Sequence, residues 1–309
     1  MIALSSGLSY IDLRFRGVPR VIATAVLHGT GGVALIDPGP TSTLPVLSAE
    51  LERSGITFAD LTTLLLTHIH LDHAGAAGTL VHDNPRLRVV VHQNGAPHMI
   101  DPTKLISSVT RLYGDAMDRL WGEFRPVPVD AIDVLAGGEH IGVAGRDLEV
   151  AFTPGHASHH VSYFDRAAGV AFVGDAAGIR LLSAGYVLPP TPPPDIDLEA
   201  WRDSLRRIDA WGADTLFLTH FGPSAPAGAH LRELADHLDV TAGLVASSLA
   251  QEEEKDDAAR EAWFASELRR ELRRHMSEAD AQTYETAGPF NLNWRGLARY
   301  WRKRATPIR

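Results

Sequence analysis

The sequence predicts an α/β protein built on two sheets, with a helical region added toward its C-terminal end. Three observations carry that expectation. Short β-like apolar runs alternate with helical stretches over roughly the first 220 residues. From Gly228 to about Ala281 the pattern is almost wholly helical. Several of the β runs also end in histidine or aspartate, at the place where a sheet edge presents ligands on a rigid frame.

The elements follow in order. Ser9 to Phe15 alternates polar and apolar residues, and Val21 to Leu27 reads as a buried β run. Gly31 and Gly32 mark a turn into Val33–Ile36, which leads to Asp37-Pro38-Gly39. This is an antiparallel opening, one half of a two-sheet sandwich. Asp37 precedes a proline at a strand end and reads as a turn former rather than as a partner of a metal ligand. A helix over Ser42 to Ser54 carries Leu44, Leu47 and Leu51 on one face. The run 61–66 is a buried strand, followed by a short helix around Ala74 to His82 and a β run from Leu87 to His92. Residues 93–124 read as mostly helical, either roofing a site or simply packing. Strand-like pieces resume at Arg125 to Val134, Leu148 to Phe152, 161–164 and 170–173. Pro189 to Pro194 forms a stiff rim loop. Asp197 caps a helix carrying Leu198, Trp201, Leu205 and Ile208, and 215–219 is a strand ending at His220. Trp294, Leu297 and Trp301 mark a last amphipathic helix, expected to pack on the protein rather than on a membrane surface. Residues 1–227 are thus expected to form a catalytic domain and 228–309 a helical extension packed on it.

Composition sets bounds. With 309 residues, 45% of them hydrophobic, the chain can bury a large core. The absence of cysteine excludes disulfides, iron–sulfur clusters, thiolate zinc sites and a cysteine nucleophile together. A formal net charge of -9 repels phosphate backbones, so nucleic acid is not an expected partner. No signal peptide and no bilayer-spanning run are visible, and a cytoplasmic protein without membrane association is the expectation. Charge is uneven, acidic over Gln251 to Glu261 and basic over Arg295 to Arg309.

The chemistry concentrates in Thr67-His68-Ile69-His70-Leu71-Asp72-His73, three imidazoles and a carboxylate within six positions. Neutral imidazole and carboxylate suit zinc, iron, manganese or cobalt. His156, Asp175 and His220 complete a set drawn from strand ends. His159 and His160 read as strand-surface residues, His92 and His98 as structural neighbours of the roof, and Arg180 as an exposed structural arginine.

Together these elements resemble the metallo-β-lactamase superfamily: His-x-His-x-Asp-His at 68–73, Pro-Gly-His at 154–156, Val-Gly-Asp at 173–175 and Leu-Thr-His at 218–220, over residues 8 to 223. The resemblance implies an αββα sandwich with two divalent metal ions along one edge of the sheets. Zinc is the first expectation, with iron, manganese or cobalt as alternatives. It implies His68, His70 and His156 on the first ion and Asp72, His73 and His220 on the second. Asp175 bridges them, and Asp72 and Asp175 serve as the catalytic proton carriers. Metal-bridged hydroxide would then attack an ester-like bond.

Departures narrow the branch. No cysteine stands where two subclasses of true β-lactamases hold the second metal, and a bridging Asp175 is the arrangement of glyoxalase-II-like hydrolases. The segment 176–182 lacks the Gly-Lys-Phe-Tyr type sequence that binds glutathione, and Gly178 stands where quorum-signal lactonases carry tyrosine; Tyr186 or Tyr113 could substitute. The expectation is a hydrolase of thioesters, carboxylic esters or lactones acting on a small-molecule substrate, with a homodimer left open. Phosphotriester or phosphodiester hydrolysis and mononuclear-iron persulfide dioxygenase chemistry are the alternatives.

Overall fold

In the computed structural model, which describes residues 1–182, 185–250 and 256–305, two mixed sheets pack face to face. The first sheet holds β1 (Ile2–Ser5), β2 (Leu8–Asp12), β3 (Ala23–Gly29), β4 (Gly32–Ile36), β5 (Leu61–Leu65), β6 (Arg88–His92) and β7 (Ile132–Leu135), paired in that order. Its first four strands are antiparallel, as the opening of the sequence suggests, and β4 to β7 run parallel. The second sheet has β8 (His140–Val143), β9 (Arg146–Phe152), β10 (Val161–Asp165), β11 (Val170–Phe172), β12 (Thr215–Leu218) and β13 (Gly222–Ser224). Its spatial order is the reverse of the chain order, and β11–β12 is its parallel pair.

The period-two alternation of strand side chains builds the layers. Ala25, Leu27, Ala34, Ile36, Leu65 and Val90 face the core shared with the second sheet. Their neighbours Val26, Leu35, Leu64, Val89 and Val91 face the opposite core. That core is closed by α1 (Leu44–Glu52), α2 (Leu71–Ala74) and α3 (Ala77–Asp83), through Leu47, Leu51, Leu71 and Leu80. The short helix expected around 74–82 is therefore two helices. Residues 93–124 divide into α4 (Ala96–Ile100), α5 (Thr103–Tyr113) and α6 (Met117–Trp121). Pro97, Pro102 and Gly114 (φ +51°) punctuate them, for want of a helical N–H or through a left-handed backbone.

Adjacent residues of β10 show the other two layers. The Tyr163 hydroxyl reaches across the sandwich to donate to the Leu66 carbonyl at 2.8 Å. Phe164, on the opposite face, stacks on Trp211 with ring centroids 5.4 Å apart, at the end of α7 (Leu198–Ala210). Asp197 caps α7 by accepting from the Ala200 N–H at 3.0 Å. The layering is αββα.

The chain ends in α8 (Ala227–Leu249), α9 (Asp257–Leu272), α10 (Glu278–Ala287) and α11 (Phe290–Ala305). Leu234, Leu238, Phe264, Tyr284, Trp294 and Leu297 share one core with α7 and the second sheet. The Trp294 indole donates to Ser248 Oγ and that of Trp301 to the Ala242 carbonyl, so this tail packs on the protein itself. A catalytic unit over 1–227 and a helical unit over 228–309 remains a proposed division, since the buried side chains run across it without a break. No helix among the described residues is long and apolar enough to cross a membrane. Residues 251–255 of the acidic stretch and 306–309 of the basic tail lie outside the described residues.

One expected strand is mostly absent. Of Arg125 to Val134 only the end is paired, in β7, because Pro126 and Pro128 each lack the N–H a ladder needs.

Tyr163→Phe tests the link between the sheets. It leaves the buried Leu66 carbonyl without its donor and should cost about 1–3 kcal/mol. Urea unfolding should show a lower midpoint at an unchanged slope.

Candidate metal centre

All seven residues singled out from the sequence converge on one edge of the sandwich. β5 ends at Leu65, so His68 and His70 stand on the extended segment beyond it rather than in the strand. Asp72 and His73 lie in α2, the turn of helix that follows. His156 comes from the loop between β9 and β10, Asp175 from a 3₁₀ turn (Gly174–Ala177) after β11, and His220 from just beyond β12. Gly155 (φ +135°) lets the His156 loop lie against α7; a Cβ there would sit 2.3 Å from Trp201 Cα.

The donor atoms form two groups. His70 Nδ1 lies 2.9 Å from His68 Nε2 and 3.0 Å from His156 Nε2. In the second group, His220 Nε2 is 3.3 Å from Asp72 Oδ2, and His73 Nε2 is 3.8 Å from the same oxygen. Asp175 stands between the groups and divides its oxygens. Oδ2 faces His156 Nε2 at 3.4 Å, while Oδ1 faces His73 Nε2 at 3.3 Å and His220 Nε2 at 3.6 Å.

Outer hydrogen bonds fix which ring nitrogens carry protons. Carbonyl oxygens only accept, so His156 Nδ1 donates to Pro190 O (2.8 Å) and His220 Nδ1 to Val21 O (2.7 Å). His73 Nδ1 donates to Asp37 Oδ2 at 2.8 Å. The Thr67 hydroxyl spends its hydrogen on the same Asp37 oxygen at 2.7 Å. His68 Nδ1 must therefore donate to Thr67 Oγ1 at 3.1 Å. In their neutral form all four rings then turn an Nε2 lone pair toward the centre, the orientation that outer partners impose on metal-binding histidines.

Asp37 corrects the sequence reading. It is fully buried and is not a mere turn former. Its carboxylate accepts from Thr67 N–H (2.8 Å), Thr67 hydroxyl, His73 and the Thr219 hydroxyl (2.7 Å). Its left-handed backbone (φ +53°), tolerable for aspartate, turns the carboxylate toward these donors. His159 and His160 are also buried rather than on a strand surface, because the loop folds back under Thr153. His160 Nε2 accepts from the Ala176 N–H at 3.3 Å and steadies the Asp175 turn. Arg180 is structural but not exposed, pairing with Glu233 at 3.2 Å.

The electrostatics differ between the groups. Burial pulls the His70 imidazole down to about 4, and burial with the neighbouring rings holds His68 well below its ordinary range. Burial lowers His156 as well. For His73 and His220 burial acts in the same direction, but the nearby carboxylates, Asp175 foremost, outweigh it and raise both. Asp72, against the upward push of burial, is held at about 2 by His73 and His220, and Asp175 is likewise held low by His73, His220 and His156.

These residues fit divalent metal ions. His73 Nε2, His220 Nε2 and Asp175 Oδ1 are buried and lack aligned hydrogen-bond partners, although they converge. His68, His70 and His156, and separately Asp72, His73 and His220, each bring their ligand atoms within 4.8 Å of one another. In the first group the Nε2 atoms of His68 and His156 converge on His70 Nδ1 at 2.9 and 3.0 Å, a spacing at which one cation can be shared by three ring nitrogens.

Above the cluster opens a pocket of about 280 Å³. Leu105, Val109, Leu112 and Trp121 form one wall, Pro190 and Pro192–Pro194 another, and Gly288, Pro289 and Leu292 of the C-terminal helices a third. The helical insert therefore roofs the site. Tyr113 and His98 line the pocket. His92 is instead stacked on Phe152, and Tyr186 on His237, away from it. The third wall comes from the C-terminal helical region, where the sequence left covering the site open and no local motif marks the residues that do it.

Two outcomes follow for the centre. Asp37→Ala strands four donors and should weaken metal retention by about 10–100-fold in chelator competition. On acidification, protons compete most strongly for His73 and His220, whose pKa values are raised, and least for His68 and His70, whose values are lowered. Metal retention should thus fall as pH drops, through protonation of the histidine ligands, read as metal released against pH in metal analysis.

Known proteins share this fold. The chain is 26% identical over 222 residues to a metallo-beta-lactamase fold-containing protein of Sulfurisphaera tokodaii, covering 70% of this chain and 79% of that protein. It is 29% identical over 152 residues to a hydroxyacylglutathione hydrolase of a Synechococcus species, covering 48% of this chain and 46% of the relative. The match therefore spans less than half of that hydrolase. The fold matches a crystal structure of a metallo-beta-lactamase family protein from Thermus thermophilus, with TM-score 0.69, 24% identity and coverage of 98% of this chain and 95% of the other. The profile of the metallo-beta-lactamase superfamily matches residues 17–220, more than half of the sequence, and the chain belongs to that superfamily.

Proposed function

We propose that this protein is a binuclear metal-dependent hydrolase of the glyoxalase-II-like branch, cleaving a thioester, carboxylic ester or lactone. The observation that carries the reading is the division of Asp175, one oxygen toward each of two complete ligand groups. His68, His70 and His156 would hold one ion and Asp72, His73 and His220 the other, with Asp175 shared. Two divalent ions so held lower the pKa of a shared water and neutralise charge that develops on the substrate oxygen.

The chain's own residues supply the rest. Asp72 and Asp175 both line the pocket and remain ionised, so either can accept a proton from the attacking water and return it to the leaving group. Asp37, Pro190 O and Val21 O hold the imidazoles in the tautomer that keeps Nε2 unprotonated. The apolar walls exclude competing water and favour an organic group over a hydrated one.

The hydroxyacylglutathione hydrolase relatives support this branch. Arg180, the cation nearest in sequence to the bridge, is engaged by Glu233 and does not line the pocket, whereas Lys104 does, so any contact to an anionic carrier would come from Lys104 rather than Arg180. Phosphoesters rank second as substrates. The complete Asp72, His73 and His220 group favours hydrolysis over mononuclear-iron persulfide chemistry, which would leave His220 idle.

Proton release by the metal-loaded protein across thioesters, lactones, phosphotriesters and β-lactams tests the proposal. Turnover should be confined to one ester-like class, and Asp175→Ala should reduce it by about 100-fold or more. Wild-type protein should retain two metal equivalents. A fully metal-loaded sample that turns over none of these classes overturns the reading.

A further inference from the structure

The ligand groups leave one chemical need unmet by protein side chains. Every imidazole with an assigned proton points its lone pair at the centre, and both carboxylates only accept. Besides the charge neutralisation that the metal ions would supply, a carbonyl oxygen entering this site can be held and polarised further by a hydrogen-bond donor. Resting on the ester-hydrolase reading above, we infer that His159 is that donor, presenting Nε2–H to the oxygen of the scissile carbonyl.

The proton position follows from the partner of the other ring nitrogen. The Ile69 peptide N–H, which can only donate, reaches His159 Nδ1 at 3.4 Å. Nδ1 therefore carries the lone pair, and in the neutral ring Nε2 carries the hydrogen. The residue is only 7% exposed, yet it lines the pocket. Among the described residues Nδ1 is the ring atom with a hydrogen-bond partner, and the pocket that the residue lines is where the Nε2 hydrogen is available.

The ring is also held still and close. Its centroid lies 5.8 Å from that of His70, edge to face, and 6.1 Å from that of His68, nearly parallel. It thus stands beside the first ligand group. Just before it, Ser158 is fixed twice, its carbonyl accepting from Asn94 Nδ2 at 2.9 Å and its hydroxyl donating to Asp195 at 2.6 Å. A donor that is already oriented costs no reorganisation when charge builds on the carbonyl oxygen. The proton stays on Nε2 throughout; the contribution is a hydrogen bond, not a proton transfer.

Two amide substitutions separate this role from a structural one. In His159→Asn the side-chain oxygen overlays the Nδ1 position and keeps the Ile69 bond, but nothing replaces the Nε2 donor. In His159→Gln an amide N–H reaches the Nε2 position, while the Ile69 bond is lost. The proposal expects kcat of the Asn variant to fall by about 10²–10³-fold, with KM, metal content and unfolding midpoint little changed. The Gln variant should recover much of the loss. The opposite order, Asn close to wild type and Gln impaired, would mean that His159 only supports the Ile69 loop and would overturn the proposal. Long-range ¹H–¹⁵N spectra of the zinc-loaded protein give a readout independent of turnover: His159 should appear as the neutral Nε2–H tautomer, and an Nδ1–H or doubly protonated ring overturns the inference. Absence of wild-type turnover on every ester-like substrate would instead count against the hydrolase reading itself.

Discussion

The carboxylate of Asp37 is the interaction on which the rest depends. It lies just past β4, accepts from Thr67 beyond β5 and from Thr219 beyond β12, and so ties the two sheets together where the ligands emerge. Through His73 directly, and through the Thr67 hydroxyl to His68, it also sets the proton positions of one imidazole in each ligand group. A buried anion with four donors is stable only if all four stay in place. The same arrangement that aims the ligands therefore makes the edge of the sandwich rigid.

Around this anchor the two ligand groups are electrostatically unequal. The first consists of neutral imidazoles whose burial opposes protonation, while the second mixes imidazoles with Asp72 and has their pKa values raised by the surrounding carboxylates. Asp175 belongs to both. A centre of this kind can bind cations through its geometry on one side and through its charge on the other, with the pocket opening above it.

That pocket is made by parts of the chain far from the ligand motifs. The α5–α6 insert, the proline-rich segment and the α10–α11 junction meet over the metal edge. Each comes to it for a packing reason: α11 is fixed by Trp294 and Leu297 in the core, and Thr191 by two hydrogen bonds to Asn293. The candidate ligands thus stand at and just beyond strand ends, and the walls of the pocket come from the helices and the proline-rich segment that cover them.

Much of this was legible in the sequence. Strand alternation at 21–36, the apolar run before Thr67 and the four spaced motifs determined the αββα class and the seven residues that meet at its edge. These are local patterns, in which side-chain period and residue type speak for themselves. The role of Asp37 was not legible, because an aspartate before proline looks like any turn former until Thr67 and Thr219, 30 and 182 residues away, are brought to it. Nor could spacing tell that His159 and His160 are buried, since the loop 153–160 turns them inward only against its tertiary neighbours. Sequence alone determined which residues could bind metal. Only the fold decided which lone pairs meet, because that depends on hydrogen bonds between segments that are distant along the chain.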